Sequence, residues 1–317
     1  MVKEQLPEAL RAEYTRVAYY YYKVALTQEQ ISKKMNMSRQ RVNRILKDCV
    51  ERGIVKISIE GMQGAQYELE ASLEQKYSLL AARVTECGEP EIINSVLGTT
   101  AGEYLAQILD KGDIIGFSRG RAVSCMVDNM PPVAKKHVVA TQLMGGWNHA
   151  ESAMDVDDIV HRFSQKSGAS AKVLFAPVMV NNPNLKQSII SEPYFQGVYE
   201  FIKSCTIAVV GIGGMPSEKQ KNERKLCSVE EAFLTYGALS AVGEVCTHFF
   251  DESGNPVRSR MDDRIIAIAL DDYLQIPHRI GVAGSPTKLQ AITGALRGGY
   301  INVLITDPNT AQALDRA

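Results

Sequence analysis

Apolar residues near the start of the chain recur at helical spacing in two stretches separated by a polar turn. In the first stretch, Ile31 and Met35 are four residues apart, which places them on the same side of a short helix. The second stretch has a longer apolar stripe at the same period, formed by Val42, Ile45, Leu46 and Cys49. Because asparagine tolerates the left-handed backbone of a sharp turn, Asn36 suits the junction. The pattern predicts two short helices joined by a tight turn.

Both predicted helices begin at residues that can cap them. Thr27 lies three residues before Gln30, which is the spacing of a capping box, and Ser38 lies at the start of the second helix. These caps supply partners for backbone amides that have none inside the helix. A short capped helix, a turn over residues 35–37 and a second capped helix form the layout of a helix-turn-helix.

The second helix carries long polar side chains opposite its apolar stripe. Arginine, lysine, glutamine and asparagine reach base edges and phosphates in a major groove. Most exposed helices have a polar face, so the indication of DNA binding comes from the combination with the capped first helix and the turn. The predicted DNA contacts are Thr27, Ser38, Arg39, Gln40, Asn43, Arg44 and Lys47.

A β-strand is predicted directly after this pair of helices. Residues 54–59 alternate as a strand does, and residues 61–64 could turn the chain into a second short strand over 65–69. One interpretation is a wing beside the DNA, and the other is a simple strand between two domains. Ahead of the pair, a helix is predicted over 9–26. Its run Tyr19–Tyr22 cannot all face one core, which favours contact with another subunit or with the following domain over a core helix with solvent-exposed tips.

From Glu70 onward, apolar strands alternate with helical stretches, including predicted helices over 92–109 and 121–129. Such alternation predicts a mostly parallel α/β sheet covered on both faces, with ligands at the carboxyl ends of its strands. With 317 residues, we expect a DNA-binding domain at 1–60 and a larger α/β domain at 61–317. The predicted strands are 81–85, 113–117, 138–143, 173–176, 206–211, 264–270, 278–283 and 302–306.

Several predicted strands end in loops suited to an anion. The loop Ser118-Arg119-Gly120-Arg121 leads straight into a helix, so backbone amides, a hydroxyl and positive charge could surround a phosphate; an ordinary tight turn is the alternative. Similar ends are Gly145-Gly146-Trp147, residues 211–215 and residues 283–288 with Lys288. Together these loops predict one site for a phosphorylated small molecule.

Charge is divided unevenly along the chain. Residues 1–60 contain twelve Lys plus Arg against seven Asp plus Glu, while the whole chain has a net charge of −1. The basic end is therefore the one with the helix-turn-helix, as binding to phosphates requires. No apolar run approaches the roughly 20 residues of a membrane span, and the charged N-terminus is unlike a secretory signal, so we expect a cytoplasmic protein without membrane contact.

Neither a metal nor a cofactor is expected. The six cysteines are scattered without metal-like spacing, which favours buried free thiols. His149 with Glu151 and Asp155 has no supported ligand spacing either, and His161 and His248 are candidates for a base rather than for metal ligands.

The chain resembles the SorC family of bacterial sugar-sensing transcriptional regulators. The resemblance covers nearly everything from Ala18 to Leu314 and rests on the stretches LTQEQISKKMNMSRQRVNRIL, GFSRGRAV, TQLMGG, IAVVGIGG, SAVGEVCTHFFDESGNPV, DDRIIAIAL and AGSPTKLQAITGALRGGYINVLITDPNTAQAL. It implies a domain of the sugar-phosphate isomerase or deaminase type. That domain would bind a phosphorylated sugar or polyol effector, which changes affinity for operator DNA in a homo-oligomer, usually a tetramer.

The resemblance also implies site residues. Ser118, Arg119, Gly120 and Arg121 would form the phosphate or hydroxyl loop, and Glu244 and Lys288 would contact the effector. Two departures bear on these contacts: Ala122 replaces a common threonine, and Ser285 replaces a common glycine. Asp262 could orient the ligand or could simply form an acidic turn. The full set of candidate effector contacts is Ser118, Arg119, Gly120, Arg121, Gly145, Gly146, Glu244, Asp262 and Lys288.

Two classes of function fit these features. The first is a regulator of a carbohydrate catabolic operon, in which an effector shifts the population of DNA-competent states. The second is an enzyme acting on sugar phosphates with an accessory helix-turn-helix. An enzyme of that kind needs a positioned acid/base pair, and no histidine lies in the motifs of the site, so the regulator is favoured.

Overall fold

The computed structural model of the chain describes residues 7–57, 66–133, 135–146, 155–215 and 235–317. The chain divides into two compact units, Met1–Gln63 and Gly64–Ala317. Some sequence predictions lie outside the described residues, namely most of the wing at 58–65, Trp147, and the pair His149 and Glu151. Within the described ranges, no helix is long and apolar enough to cross a membrane.

The first unit contains three helices: α1 (Glu8–Tyr22), α2 (Gln28–Met35) and α3 (Arg39–Glu51). Apolar side chains from all three close one small core, whose buried members are Tyr14, Val17, Ala18, Ile31, Val42, Ile45, Leu46 and Cys49. The predicted apolar stripe of the second helix is therefore confirmed.

The local geometry of the helix-turn-helix is also as predicted. Thr27 Oγ1 accepts a hydrogen bond from the Gln30 amide at 3.3 Å, and Gln30 Oε1 accepts one from the Thr27 amide at 2.9 Å, which completes the capping box. Asn36 ends α2 in the left-handed conformation with φ of 49°. Ser38 Oγ caps α3 by accepting a hydrogen bond from the Arg41 amide at 3.2 Å. These contacts set the sharp angle between α2 and α3.

Most of the predicted wing lies outside the described residues, and only its two ends can be compared with the structure. Residues 54–57 form no strand, and the second strand over 65–69 is replaced by the start of helix α4 (Tyr67–Tyr77). Leu69 and Leu73 are four residues apart and both contact the core of the second unit, so a helix buries both. In addition, Glu70 Oε1 accepts a hydrogen bond from the Val84 amide at 2.8 Å, which ties the helix to the neighbouring strand.

The second unit is built on a seven-stranded sheet in which every pair of neighbouring strands is parallel. This confirms the predicted mostly parallel α/β architecture. The strand order is β1-β10-β9-β5-β2-β3-β4. The strands are β1 (Ala81–Val84), β2 (Ile114–Phe117), β3 (Val139–Gln142), β4 (Ser170–Lys172), β5 (Ile207–Gly211), β9 (His278–Val282) and β10 (Val303–Thr306).

Helices cover both faces of this sheet. Along β5, Ala208 and Val210 lie in one buried cluster while Ile207 and Val209 lie in the other, as the alternation of side chains in a strand requires. The remaining helices are α5 (Ile93–Ile108), α6 (Arg121–Asn129), α7 (Val156–Ser167), α8 (Pro183–Ser191), α9 (Pro193–Lys203), α10 (Leu270–Leu274), α11 (Leu289–Arg297) and α12 (Pro308–Arg316).

Two predicted strands are wrong. Residues 173–176 follow the short edge strand β4 and contribute none of its pairing. Residues 264–270 are extended only in part, with isolated bridges at Ile265 and Ala267, and then enter α10. An additional three-stranded antiparallel sheet was not predicted; its strands are β6 (Gly213–Gly214), β7 (Gly243–Val245) and β8 (His248–Phe250).

Candidate functional site

Helix α3 presents the predicted DNA-contacting face to solvent. Arg41, on the same helix, is instead bound within the unit, because its Nη2 lies 2.9 Å and 3.1 Å from the two carboxylate oxygens of Glu13. The hydroxyl oxygens of Thr27 and Ser38 already accept capping hydrogen bonds from backbone amides. A DNA contact by either hydroxyl would be a second hydrogen bond beside the cap. The predicted DNA contacts on the body of α3, namely Arg39, Gln40, Asn43, Arg44 and Lys47, are all exposed.

In the second unit, three strand ends meet at one edge of the sheet, because β9, β5 and β2 are neighbours. Ser118, just after β2, accepts a hydrogen bond at Oγ from the Gly211 amide at 3.0 Å. Lys288, in the loop after β9, donates from Nζ to the carbonyl oxygen of Ile212 at 3.0 Å. The loops that the sequence singled out separately are therefore joined through the end of β5.

The loop after β2 needs glycine at position 120. Gly120 has φ of 151°, a backbone angle that side-chain-bearing residues rarely adopt, and Arg121 begins α6 immediately afterwards. A Cβ atom at Gly120 would also reach within 4.0 Å of Gly211 Cα. The close approach of these two loops brings the amino end of α6, with its partial positive charge, to the shared edge.

Glu244 projects from β7 into the same region. Its Oε2 accepts a hydrogen bond from the Thr247 amide at 2.9 Å, and a Cβ atom on Gly213 would lie only 2.3 Å from its Oε1. Desolvation raises the pKa of Glu244, while the Thr247 amide and the charges of Lys288 and Arg119 act in the opposite direction. Protein atoms thus surround the carboxyl group closely although part of the side chain remains accessible to solvent.

Lys288 is a partly desolvated cation in the same region as Glu244. Its pKa is lowered mainly by desolvation and further by the charge of Arg121, and Glu244 partly offsets both effects. Glu244 therefore interacts electrostatically with Arg119 and Lys288, and Lys288 with Arg121; the region that these four side chains surround is called the cleft below. Its three cations outnumber its carboxyl groups even when Asp155, beside Arg119, is counted, which suits an anionic ligand.

Arg119 is also close to a second carboxylate. Its Nε lies 3.8 Å from Oδ1 of Asp155, the residue that precedes α7, and the two side chains are 27% and 16% exposed. From the sequence alone, Asp155 is notable only as a possible metal ligand beside His149 and Glu151. Among the described residues, no group of acidic, histidine and cysteine side chains is arranged to hold a metal ion.

Gly145 and Gly146 have a structural explanation. The Gly145 amide donates to the carbonyl oxygen of Ile266 at 2.9 Å, and the Gly146 amide donates to that of Ala176 at 2.8 Å. A Cβ atom on Gly145 would lie 2.5 Å from the backbone of Pro177. Both amides are thus engaged in holding neighbouring extended segments together, and a direct effector contact at these glycines stays a prediction.

Asp262 lies in a different setting. Its carboxylate accepts hydrogen bonds from the Tyr236 hydroxyl and, at 3.1 Å, from the Ser259 amide. It lines a cavity of about 720 Å³ together with Lys186, His248 and Arg258. Thr247, whose amide donates to Glu244, also lines this cavity, and an effector contact of Asp262 stays a prediction. The turn-forming hydrogen bonds of Asp262 match the alternative of an acidic turn.

His248 is poorly suited to act as a base in the cleft. Its Nε2 lies 3.0 Å from the carbonyl oxygen of Ile268, and desolvation lowers its pKa to about 4, although that hydrogen bond acts in the opposite direction. The imidazole is therefore neutral at pH 7 and bonded away from the Glu244 carboxyl group, which accepts from Thr247.

The loop that carries Lys288 is held in place through contacts of Ser285 with Asp307 and Thr310, at the start of the last helix. Ser285 has φ of 98°, and its amide donates to Asp307 Oδ2 at 3.0 Å and to Thr310 Oγ1 at 3.1 Å. Burial opposes ionisation of Asp307, but hydrogen bonds, chiefly from Thr310, lower its pKa overall. The Asp-Pro pair at 307–308 is a recognisable helix start in the sequence, but its contact with the distant loop is visible only in the fold.

Models of known families match both units. The model for a sugar-binding domain matches residues 63–314, and the model for a winged helix-turn-helix DNA-binding domain matches residues 25–56. The chain is 32% identical to the deoxyribonucleoside regulator of Bacillus subtilis over 299 residues, which cover 94% of this chain and 95% of that relative. It is 30% identical to the sorbitol operon regulator of Klebsiella pneumoniae over 304 residues, which cover 94% and 96%.

Solved structures agree with these matches. The full-length sorbitol operon regulator SorC from Klebsiella pneumoniae superposes with a TM-score of 0.74 at 28% identity, covering 97% of this chain and all of that one. A transcriptional regulator from Streptococcus pneumoniae superposes with a TM-score of 0.71 at 31% identity, covering 78% of this chain and 95% of that one. With a helix-turn-helix, a parallel α/β domain and these relatives, the chain belongs to the SorC family of sugar-binding transcriptional regulators.

Proposed function

We propose that the protein regulates a carbohydrate catabolic operon by binding operator DNA through residues 1–60 and a phosphorylated sugar or polyol through residues 61–317. The names of the relatives support the operon, since they include regulators for sorbitol and deoxyribonucleosides. The observation that carries the effector assignment is the joining of three strand ends around Arg119, Arg121 and Lys288.

For DNA recognition, we propose that Arg39, Gln40, Asn43 and Arg44 read base edges, with Lys47 and the caps Thr27 and Ser38 near the phosphates. Gln40→Ala or Arg44→Ala should relax base preference at particular operator positions, at a cost of about 1–3 kcal/mol per lost base contact. Arg41→Ala is the matched control, because Arg41 lies on the same helix as Gln40 and Arg44 but is bound to Glu13 of α1. Unchanged selectivity of both variants across an operator library would contradict this assignment.

For the effector, we propose that a phosphate group occupies the cleft beside Ser118, Arg119, Gly120 and Arg121, with Lys288 and Glu244 reaching the same molecule. Direct contacts from Gly145, Gly146 and Asp262 belong to the same hypothesis. Calorimetry with a panel of sugar and polyol phosphates should find one ligand whose affinity falls at least about tenfold in Arg121→Ala and Lys288→Ala.

A cation outside the cleft provides the control for that experiment. Lys111 is exposed and precedes β2, at the opposite end of the strand from Ser118. Lys111→Ala removes the same charge and should keep the affinity of the unchanged protein. If Arg121→Ala and Lys288→Ala also bind normally, the effector site lies elsewhere.

We further propose a homotetramer that acts in the cytoplasm and performs no catalytic step. The assignment as a non-enzyme is supported by the naming of its relatives as regulators and by the hydrogen bond of His248 to Ile268, away from Glu244. Incubation with the ligand found by calorimetry should leave that ligand chemically unchanged. Turnover would favour the enzyme alternative.

A further inference from the structure

Arg119 is influenced by two carboxylates that come from different elements. Glu244, on β7, interacts with Arg119 electrostatically. Asp155, the residue that precedes α7, forms an ion pair with Arg119. The ion pair is mostly shielded, since Arg119 is 27% and Asp155 16% exposed. Because water screens such a pair less than a surface pair, Asp155 neutralises part of the charge that an anionic ligand would meet.

The geometry of this pair differs from that of its neighbour on the same helix. Arg119 Nε and Asp155 Oδ1 are 3.8 Å apart, whereas Arg162 Nε donates to Asp158 Oδ2 at 2.7 Å. The shorter distance is that of a charge-assisted hydrogen bond, and the longer one is a looser electrostatic contact. Asp158 is therefore engaged by Arg162 within α7, whereas Asp155 faces the arginine of the candidate phosphate loop.

Asp155 also forgoes the usual role of an aspartate at its position. It is the N-cap of α7, with extended backbone angles of −73° and 144°, but its side chain makes no capping hydrogen bond. Aspartate at an N-cap normally accepts a hydrogen bond from an amide of the first turn. Its carboxylate instead lies near the guanidinium of the candidate phosphate loop.

We propose that Asp155 is an internal counter-ion of Arg119 that an anionic effector displaces. This inference rests on the proposed effector site and deepens it. A phosphate dianion offers Arg119 more charge and more acceptor oxygens than one carboxylate does, whereas a neutral sugar offers neither. The displaced contact therefore lowers the affinity for anions, favours phosphorylated ligands over neutral ones, and makes the start of α7 sensitive to occupancy.

The test is calorimetry of the full chain with inorganic phosphate. Asp155→Asn keeps a good N-cap residue and removes the competing charge, so it should bind phosphate about 3- to 10-fold tighter than the unchanged protein. Asp158→Asn is the matched control, because it removes the same charge from the first turn of the same helix but its partner is Arg162. Its phosphate affinity should stay within about twofold of the unchanged protein.

Equal or weaker phosphate binding by Asp155→Asn would overturn the inference, because it would mean that Asp155 holds Arg119 in place. Absence of phosphate binding in both forms would overturn it as well. If Asp155→Asn does not fold, Asp155→Ser, another N-cap residue, is read in the same way. Arg121→Ala separates the two proposals: if it loses phosphate while Asp155→Asn gains nothing, the site stands and only the counter-ion role fails.

Discussion

At the scale of single residues, the cleft contains ionisable groups whose charged forms are destabilised by desolvation. Burial raises the pKa of Glu244 and lowers that of Lys288, so each group is less readily charged than in water. Among the described residues, Glu244 accepts a hydrogen bond from the Thr247 amide and Lys288 donates one to the Ile212 carbonyl oxygen. A ligand bearing hydroxyl and phosphate groups would supply further partners. Such groups are typical of binding sites, because desolvation destabilises them in the free protein and a bound ligand can stabilise them.

This cost at Glu244 predicts a pH-dependent effect on stability. Glu244→Gln should raise the Tm at pH 7, since it removes a carboxyl group whose ionised form is disfavoured by burial, while its amide oxygen can still accept from Thr247. A raised folded pKa means that protonation favours the folded state, so the contribution of Glu244 to stability improves as the pH falls through its folded pKa. The difference in Tm should therefore shrink in acid. A difference that widens in acid would contradict this account; exposed Glu91→Gln is the control.

Ser285 gives a second prediction at this scale. Its φ of 98° is unfavourable for a residue with a side chain and is held by the contacts of its amide with Asp307 and Thr310. Ser285→Gly should therefore stabilise the fold by about 1 kcal/mol, whereas Ser285→Ala, which keeps a Cβ atom, should not. Thermal unfolding of both variants checks this. Equal Tm values for the two would mean that the position is unstrained.

At the scale of elements, the helix-turn-helix could be predicted almost completely from local chemistry. Thr27, Ser38 and Asn36 each act on residues within five positions of themselves, so their roles are visible in the sequence. The central parallel strands were predictable for a related reason, since burial on both faces demands continuous apolar runs.

Elements that depend on distant partners were the ones that sequence patterns missed. Strands β6, β7 and β8 are only two or three residues long and are stabilised by pairing across the chain, with Gly213 opposite Glu244. The apolar run at 264–270 pairs through isolated bridges to Met144 and Met179, so its pattern resembled a regular strand. Likewise, the ion pair of Arg119 with Asp155 joins residues 36 positions apart in the chain. The candidate loops could be recognised in the sequence, but the hydrogen bonds that join them through the end of β5 could not.

The turn between α2 and α3 yields a prediction for the element as a whole. Asn36 adopts φ of 49°, so Asn36→Ala should destabilise the first unit by about 1 kcal/mol and weaken operator binding, while Asn36→Gly should be tolerated. Urea unfolding monitored by circular dichroism, together with DNA binding, measures both effects. Equal behaviour of the alanine and glycine variants would show that the turn does not need the left-handed conformation.

At the scale of the whole molecule, exposed aromatic side chains on α1 bear on assembly. Tyr19, Tyr21 and Tyr22 are 56%, 37% and 43% exposed. Of the predicted run, Tyr20 is the half-buried member and packs against the core of the first unit. If subunits meet through these rings, Tyr19→Ser with Tyr22→Ser should shift sedimentation velocity towards smaller species. An unchanged distribution would place subunit contacts elsewhere.

Effector occupancy should change the affinity of the protein for operator DNA. A coupling free energy of about 1–3 kcal/mol would change that affinity by roughly 5- to 150-fold. The relevant measurement is fluorescence anisotropy of labelled DNA from the region upstream of the protein's own gene, titrated with the full chain with and without the phosphorylated ligand identified by calorimetry. The ligand should shift the DNA affinity by at least about fivefold, and this shift should disappear in Arg121→Ala. Identical DNA affinity at saturating ligand would contradict it.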